Sequence, residues 1–474
     1  MTRPNLLLVI TDDHAAHAVS AYGSVVNATP RIDEIGALGV RFDQCFATNS
    51  LCAPSRASIL TGTYSHVNGV TTLDTYLDAA QPTFVTQLRD AGYRTAFVGK
   101  WHMGHHDGHD PQGFDYWDVF IDQGEYWDPR FLSAKGLRHE TGYATDLVTN
   151  LSLRWLDSVD DGTAPWCIVV AHKAPHRPWE PHPAYADRYA GAIPVPATFT
   201  DDLQGRSDTA RRAVMSVARD LTEEDLKQPV PPGLAEADEA VWKYQRYMED
   251  YLACVASVDD NVGRLTDWLR ERGRLEDTVL LYTSDQGFFL GDHGWFDKRF
   301  MYEQSIRMPL LLAYPRQVAP GGVHEGIVTN VDFARTLLEA AGVPAHPRMQ
   351  GRSVWAELAG TSIDTTSPEG FYYRYWMHDD RSHHVGAHYG YRTDRYVLIY
   401  FYNDGLGLAG CSPETYPPEW ELYDLATDPD ELHNVAGSPA YAAVRADLEV
   451  RMWRAQAAVG DHPHPSQPRP ARLT

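Results

Sequence analysis

Three kinds of feature are scarce in this sequence of 474 residues, and each scarcity excludes a class of protein. It has no run of eighteen or more apolar residues, so nothing predicts a transmembrane helix. The five cysteines are odd in number and irregularly spaced, which argues against a disulfide framework and for a reducing compartment. The apolar run before Asp12 is too short for a signal peptide. We therefore expect a cytoplasmic protein without a membrane partner.

Basic residues are also few compared with acidic ones. The chain has 41 Lys and Arg against 64 Asp and Glu, a formal net charge of −23. Because a phosphate backbone binds a basic surface, this balance excludes nucleic acid as the main partner. With 43% hydrophobic and 22% charged residues, the chain is an ordinary globular protein, long enough to bury a large core. None of these numbers fixes the oligomeric state.

Short apolar runs alternate with helical patterns through the first 347 residues. Three helical patterns begin at Thr83, near Ala240 and at Asp332. Thr83 and Asp332 can each act as the N-cap of their helix. Runs that are apolar on both faces indicate strands covered by helices on each side, and they span residues 5–11, 95–99, 166–171, 278–283 and 309–313. This alternation predicts an α/β fold with a large, mostly parallel sheet sandwiched by helices.

The pattern changes after about Pro347, where alternating and aromatic-rich segments take over. Four of them indicate strands, and a helix over residues 440–458 follows; the strands span residues 370–376, 384–391, 395–402 and 421–425. We predict a catalytic α/β domain over residues 1–347. A C-terminal α+β subdomain, a smaller antiparallel sheet packed with one helix, covers residues 348–474. From about residue 461, Pro and His alternate in a tail that we expect to be extended.

Polar side chains follow four of the predicted strands directly. In chain order they are Asp12 and Asp13, Lys100 and His102, His172, Lys173 and His176, and Asp285 and Gln286. Ligands bind beyond the carboxyl ends of the strands in an open parallel sheet. Each residue alone has an ordinary explanation, as a turn or cap aspartate or a surface cation. Four such groups at one edge of the sheet predict a functional site.

The segment Cys-Ala-Pro-Ser-Arg-Ala-Ser-Ile-Leu-Thr-Gly places Cys52 at the start of a short helix that Gly62 ends. Pro54 is favoured in the first turn of a helix. The positive end of the helix dipole suits an oxyanion or a developing negative charge. From these residues alone, Cys52 is either a small buried hydrophobe or a thiolate nucleophile paired with a histidine.

Together these motifs resemble the type I sulfatases of the alkaline phosphatase superfamily, over nearly the whole chain. The matching motifs are Asp12-Asp13, Cys52-x-Pro-Ser-Arg with Leu-Thr-Gly62, Gly-Lys100-Trp-His102, Pro-His176-x-Pro, Ser-Asp285-Gln286-Gly with Gly-Asp-His-Gly and Lys298, and Glu421-Leu-Tyr-Asp. Residues 287–300 further resemble bacterial carbohydrate sulfatases, including those that act on 6-O-sulfated N-acetylglucosamine. The resemblance implies an alkaline-phosphatase-like fold and a hydrolase that cleaves a sulfate ester of a small or chain-end saccharide, or an aryl sulfate.

The resemblance implies a metal centre as well. Its ligands would be Asp12, Asp13, Asp285, Gln286 and residue 52 in its Cα-formylglycine form. All of them supply oxygen, which selects a hard cation, Ca²⁺ first and Mg²⁺ second. Many family members carry Asn or His where this chain has Gln286. The longer side chain keeps an oxygen ligand and leaves the coordination geometry open.

The mechanism implied by the resemblance starts with oxidation of Cys52 by a formylglycine-generating enzyme. One hydroxyl of the hydrated aldehyde attacks sulfur and displaces the alcohol, and the other then loses its proton so that sulfate leaves the covalent sulfo-enzyme. Arg56 and His102 occupy the positions that orient and deprotonate the diol. His176 and Lys298 occupy positions that bind sulfate oxygens, and either can protonate the leaving oxygen.

Lys100 is the third sulfate-binding residue that the resemblance implies. His176, rather than His172, precedes x-Pro as the family histidine does. Loops over the strand ends supply further candidate substrate contacts, and for each of them a solvated loop is an equal alternative. We assign Arg177 and His105 to substrate binding. The other candidates are His106, His109, Asp110, Lys173 and Trp179. Trp376, His378 and Asp379 of the second subdomain are positioned in the sequence to close the pocket over a sugar.

Two alternatives remain open beside a sulfuric ester hydrolase. A phosphonate monoester or phosphodiester hydrolase of the same superfamily shares the formylglycine and the metal ligands. A non-catalytic binding protein with a vestigial site would lack some ligands, whereas every expected position is filled here. The acidity of the chain also disfavours long sulfated polymers relative to small or chain-end esters.

Overall fold

A large mixed β-sheet dominates the computed structural model, which describes residues 3–361 and 367–473. The strands of the described residues, in chain order, are β1 Asn5–Thr11, β2 Val40–Phe42, β3 Cys45–Phe46, β4 Arg94–Gly99, β5 Tyr116–Phe120, β6 Arg130–Ser133, β7 Gly136–His139, β8 Trp166–Ala171, β9 Thr278–Ser284, β10 Phe289–Leu290, β11 Phe296–Asp297, β12 Leu310–Ala313, β13 Gly322–His324, β14 Val328–Thr329, β15 Gly370–Tyr375, β16 His388–Thr393, β17 Tyr396–Phe401 and β18 Glu419–Asp424. Ten of them form the large sheet, in the order β13-β2-β12-β9-β1-β8-β4-β5-β6-β7.

The centre of this sheet confirms the predicted fold class. Strands β9, β1, β8, β4 and β5 run parallel to one another, whereas β6 and β7 are added antiparallel at one side. The strand predicted over residues 309–313 is present as β12, but it pairs antiparallel with both β9 and β2. A parallel return requires a long crossover. The only α-helix described between β9 and β12 is the single turn Glu303–Ile306, so the chain returns in the opposite direction.

Helices cover both faces of the sheet. In the described ranges they are α1 Pro30–Leu38, α2 Cys52–Thr61, α3 Ser65–Asn68, α4 Phe84–Asp90, α5 Ala144–Val159, α6 Asp208–Arg212, α7 Val217–Asp220, α8 Glu223–Leu226, α9 Glu236–Glu271, α10 Glu303–Ile306, α11 Phe333–Ala340, α12 Trp355–Leu358 and α13 Ala442–Ala458. Leu7 and Val9 of β1 pack in one core with α1, α5 and α9. Leu6, Leu8 and Ile10 point the other way, into a second core with α2, α4 and α11.

The helix signals of the sequence are partly confirmed. The Thr83 hydroxyl accepts from the Thr86 N–H at 3.1 Å and caps α4 as predicted. Asp332 stands at the N-cap position of α11, but the prediction that its carboxylate caps the helix is wrong. Asp332 instead accepts from the backbone N–H groups of Thr329 and Arg352 at 2.8 and 2.7 Å, the first of these in a capping box with Thr329.

The C-terminal antiparallel sheet, β15-β16-β17-β18, also confirms the predicted fold. One face, with Tyr373 and Ile399, joins the core that covers β1. The other packs against α13 through Leu448 and Met452. The boundary at residue 347 stays a prediction, and Thr474, the last residue of the tail, lies outside the described residues. None of the helices within residues 3–361 and 367–473 combines the length and apolarity needed to cross a bilayer.

A glycine at the end of β4 allows two strands to approach closely just before the site. Gly99 has φ 108°, and a Cβ built on it would lie 1.9 Å from the Ala171 carbonyl oxygen of β8. That oxygen accepts from the Lys100 N–H at 2.8 Å. Gly99 therefore fixes where Lys100 leaves the sheet.

We predict that Gly99→Ala lowers the free energy of unfolding by at least about 3 kcal/mol, because it adds a backbone clash to an unfavourable φ. Gly92→Ala is the matched control: its φ is 94°, but its Cβ would meet no described heavy atom within 4 Å. It should lose only about 1–2 kcal/mol. Chemical denaturation of both variants measures the difference, and equal losses would contradict the packing argument.

Candidate active site

Three carboxylates meet at the carboxyl ends of β1 and β9. Asp12 and Asp13 follow β1, Asp285 follows β9, and all three are fully buried. One oxygen from each lies within 4.8 Å of the others. Gln286 is also buried, and its Nε2 donates to Asp13 Oδ1 at 2.5 Å. The structure therefore brings together the four side chains that the sequence assigns to a metal.

Cys52 begins helix α2 beside this cluster, as the position of Pro54 predicts. Its Sγ lies 3.5 Å from Asp12 Oδ1 and 4.0 Å from Gln286 Nε2. Burial, followed by the charge of Asp12, raises the pKa of the thiol to about 12. With only these protein groups around it, the thiolate form of Cys52 is disfavoured.

Three buried cations neutralise the carboxylates. Arg56, one turn along α2, donates from Nε to Asp285 Oδ2 at 2.8 Å. The ammonium of Lys100 pairs with Asp12. That of Lys298 lies 2.7 Å from Asp13 Oδ1. Burial opposes the charge of Lys298, yet the carboxylates around it, Asp13 first, raise its pKa well above the ordinary value.

Two of the predicted histidines line the same site as neutral rings. Burial and then the charge of Lys100 lower the pKa of both His102 and His176 well below the ordinary value. His176 Nδ1–H donates to the Arg177 carbonyl oxygen at 2.5 Å, which leaves Nε2 facing Asp13 Oδ2 at 3.7 Å. His172 is completely buried, and burial lowers its pKa to about 3, so it supports the loop from inside.

Gln123 is a site residue that the sequence analysis missed. Its Oε1 accepts from the Lys100 ammonium, and its Nε2 donates to His102 Nε2 at 3.2 Å. It thus orients both residues through one amide. Gln123 follows β5, in which Asp118 interrupts the aromatic and apolar residues, so the sequence gave no continuous apolar run there.

A cavity of about 1140 Å³ opens above Cys52. Its walls come from the catalytic core and from two segments of the C-terminal part of the chain, residues 377–384 and 410–413. Asp379 lines it as expected. Trp376 and His378 are not among its described lining residues: Trp376 stacks on the Arg374 guanidinium at 3.5 Å, and His378 is buried against the Glu414 carbonyl. Both residues follow the end of β15 at Tyr375.

The predicted loop contacts are also divided by the structure. Arg177 lines the cavity, held by a two-pronged ion pair with Asp225 at 3.1 and 2.7 Å. Among the described residues, His105 lines a neighbouring cavity of about 390 Å³, together with His102. Trp179 is a core residue packed on Tyr247, so its assignment to a substrate loop is wrong.

The carboxylate cluster fits a hard divalent cation. Its donors are oxygens, and burial raises the pKa of Asp13 to about 7, against the opposing charge of Lys298. The nearby charges of Asp12 and Asp285 also raise the Asp13 pKa, and a cation among the carboxylates would relieve this repulsion. Gln286 Oε1 is buried without a hydrogen-bond partner in the described part of the chain. Rotation of the amide would turn this oxygen toward the same carboxylates.

Comparison with known proteins shows which family the chain resembles. The family described as "Sulfatase" matches residues 4–343, and a family described as "N-sulphoglucosamine sulphohydrolase, C-terminal" matches residues 291–458. An N-acetylglucosamine-6-O-sulfatase of Bacteroides thetaiotaomicron is 39% identical over 94% of this chain and 85% of its own length. An uncharacterized sulfatase, YidJ of Escherichia coli, is 27% identical over 94% and 86%. The structure of BT4656 in complex with its substrate D-glucosamine-2-N,6-O-disulfate superimposes with a TM-score of 0.89 at 38% identity, covering 97% of this chain and 98% of the other.

We predict that Ca²⁺ raises the melting temperature of the chelator-treated protein. At one hundred times its dissociation constant, a cation that binds only the folded state adds about 2.7 kcal/mol. Asp285→Asn should remove most of this gain. Asp118→Asn, which alters another buried carboxylate, paired with Arg138 outside the site, should keep it. A Ca²⁺-dependent shift of equal size in all three proteins would contradict the assignment.

Proposed function

The chain belongs to the sulfatase family, and from that premise we propose that it hydrolyses the 6-O-sulfate ester of a small or chain-end glucosamine sugar. The observation that carries this proposal is the contact of Cys52 with a buried carboxylate cluster that three cations pair with, beside a cavity that Cys52, His176 and Lys298 line. The sugar is inferred from the Bacteroides relative, whose name specifies N-acetylglucosamine 6-O-sulfate.

The position of Cys52 supports its role as the precursor of the nucleophile. It lies at the N-terminus of α2, where the helix dipole favours an attacking oxyanion. Once oxidised to Cα-formylglycine by a formylglycine-generating enzyme, the residue would supply a hydrated aldehyde whose hydroxyl attacks sulfur. Arg56 would orient this group, since its guanidinium already bridges Asp12 and Asp285. His102 Nε2 accepts a hydrogen bond from Gln123, consistent with a neutral ring that can take a proton.

A divalent cation, Ca²⁺ in our proposal, would be held by Asp12, Asp13, Asp285, Gln286 and the modified residue 52, and would polarise the sulfate and the nucleophile when bound. Lys100 and Lys298 flank the same carboxylates from two sides. With that charge balanced by the cation, both ammonium groups are free to bind the sulfate oxygens.

Lys298 is the better candidate for protonating the leaving oxygen. His176 already uses its Nδ1–H on the Arg177 carbonyl, so its ring needs a second proton before Nε2 can donate. Lys298 is charged and lines the cavity beside Cys52. Its carboxylate partners, Asp13 first, raise its pKa and so hold the proton, and a cation shared with those carboxylates would weaken that hold. His176 then serves to bind a sulfate oxygen. Arg177 lies further out on the cavity wall, where it can contact the sugar.

The direct test of the proposal is a rate comparison on purified protein. We expect N-acetylglucosamine 6-sulfate to be cleaved faster than its 3-sulfate isomer and far faster than an aryl phosphonate ester. Mass spectrometry of the peptide containing Cys52 should show the aldehyde in active protein, and Cys52→Ala supplies the inactive control. Active protein with only unmodified thiol would refute the mechanism. Preference for the phosphonate would instead favour the related phosphonate hydrolases.

We predict that Asp285→Asn and Lys298→Ala each lower turnover of the sugar sulfate by at least ~10²-fold. This is the scale of losing one charged contact to the transition state. Steady-state kinetics on folded protein measures the effect, with circular dichroism as a check of structure. Near-normal turnover in either variant would show that the residue is misassigned.

A further inference from the structure

The backbone around Lys298 is held in an uncommon conformation. Its two neighbours, Asp297 and Arg299, have φ values of 85° and 90°, although neither is glycine. Such conformations persist only where the surrounding structure fixes them, and they concentrate at functional sites. Both residues are buried, with 2% and 4% of their surface exposed. Something must therefore hold the chain on each side of the Lys298 ammonium.

Four ionisable side chains form a closed ring that does this, and we call it the ion-pair ring: Asp297, Arg299, Asp380 and His383. Arg299 Nε lies 3.2 Å from Asp297 Oδ1, and Arg299 Nη1 lies 3.6 Å from Asp380 Oδ2. His383 spans the opposite side, 3.2 Å from Asp380 through Nδ1 and 3.2 Å from Asp297 through Nε2. All four residues line the cavity above Cys52.

Half of the ring comes from the C-terminal part of the chain. Asp380 and His383 lie between β15 and β16 and remain buried, with 6% and 9% exposed. Strand β15 adds two further contacts to Arg299. The Arg299 guanidinium donates to Tyr375 Oη at 3.0 Å, and the Tyr373 hydroxyl donates to the Arg299 carbonyl oxygen at 2.7 Å. The segment carrying Lys298 is thus held by residues of the C-terminal part of the chain, outside the large ten-stranded sheet.

We propose that Asp380 and His383 are positioning residues that hold the Lys298 ammonium at the leaving oxygen of the substrate. They act through Asp297 and Arg299, whose backbone carries Lys298 between them. Asp297 also accepts from the Lys298 N–H at 2.8 Å, so the ring restrains the backbone of the lysine directly. Without the Asp380 charge the ring opens, because Arg299 and His383 then share only Asp297, and Lys298 is less well placed to deliver its proton. This inference rests on the role proposed above for Lys298 in leaving-group protonation.

The test compares two leaving groups on the same protein preparation. Asp380→Asn keeps the size of the side chain and removes its charge. We expect the ratio of kcat/KM for N-acetylglucosamine 6-sulfate to kcat/KM for 4-nitrophenyl sulfate to fall at least about tenfold. This is a fraction of the contribution of general acid catalysis, and 4-nitrophenolate leaves without protonation. The ratio does not depend on how much of the preparation is folded. His383→Ala should change it in the same direction.

Asp461→Asn is the matched control, because Asp461 is another buried carboxylate, paired with Arg374 at 2.9 Å. In Asp461→Asn the ratio of the two kcat/KM values should equal that of the protein without substitutions. An unchanged ratio in both ring variants, even if kcat/KM falls equally on both substrates, would overturn the inference. If the protein without substitutions cleaves 4-nitrophenyl sulfate but not the sugar, only the proposed substrate is refuted. An alkyl sulfate then replaces the sugar in the same comparison. If the protein without substitutions cleaves neither sulfate ester, the proposed function is refuted instead.

Discussion

The mutual repulsion of Asp12, Asp13 and Asp285 is the constraint around which this molecule is arranged. The three carboxylates lie at the ends of neighbouring parallel strands, fully buried, where each charge is costly unless it is paired. Burial tends to raise the pKa of Asp12, but Lys100, with further nearby cations, lowers it below its ordinary value. Asp13 and Asp285 keep raised values despite their own partners. The cluster therefore retains affinity for one more positive charge.

That requirement explains why so much of the fold converges on one edge of the sheet. Arg56 comes from α2, Lys100 from β4, and Lys298 from the segment after β11, so three separate elements must be correctly packed before the carboxylates are neutralised. β1 supplies Asp12 and Asp13 and has side chains in both hydrophobic cores. A shift of β1 would disturb the cores and the charge balance together.

Sequence reasoning located the parts of the site that stand next to strong local signals. Asp12, Lys100 and Asp285 follow apolar runs directly, and Pro54 marks the start of α2. Gln123 was missed because β5 has no continuous apolar run. The antiparallel direction of β12 and the partners of Asp332 depend on contacts distant in sequence, so no local pattern reports them. The role of Asp380 and His383 is of the same kind, since each lies more than eighty residues from Asp297.

The net charge of −23 acquires a different meaning once the site is in view. Screening over about 8 Å at physiological salt separates the distant acidic residues from the site, where we propose that Lys100 and Lys298 bind the sulfate. A single sulfate ester that enters the cavity experiences mainly these local cations. A long polyanion would also have to lie along the acidic exterior, where each further sulfate is repelled. The same charge distribution therefore accepts one anionic group and opposes many, which favours a monosaccharide or a chain end over the interior of a sulfated polymer.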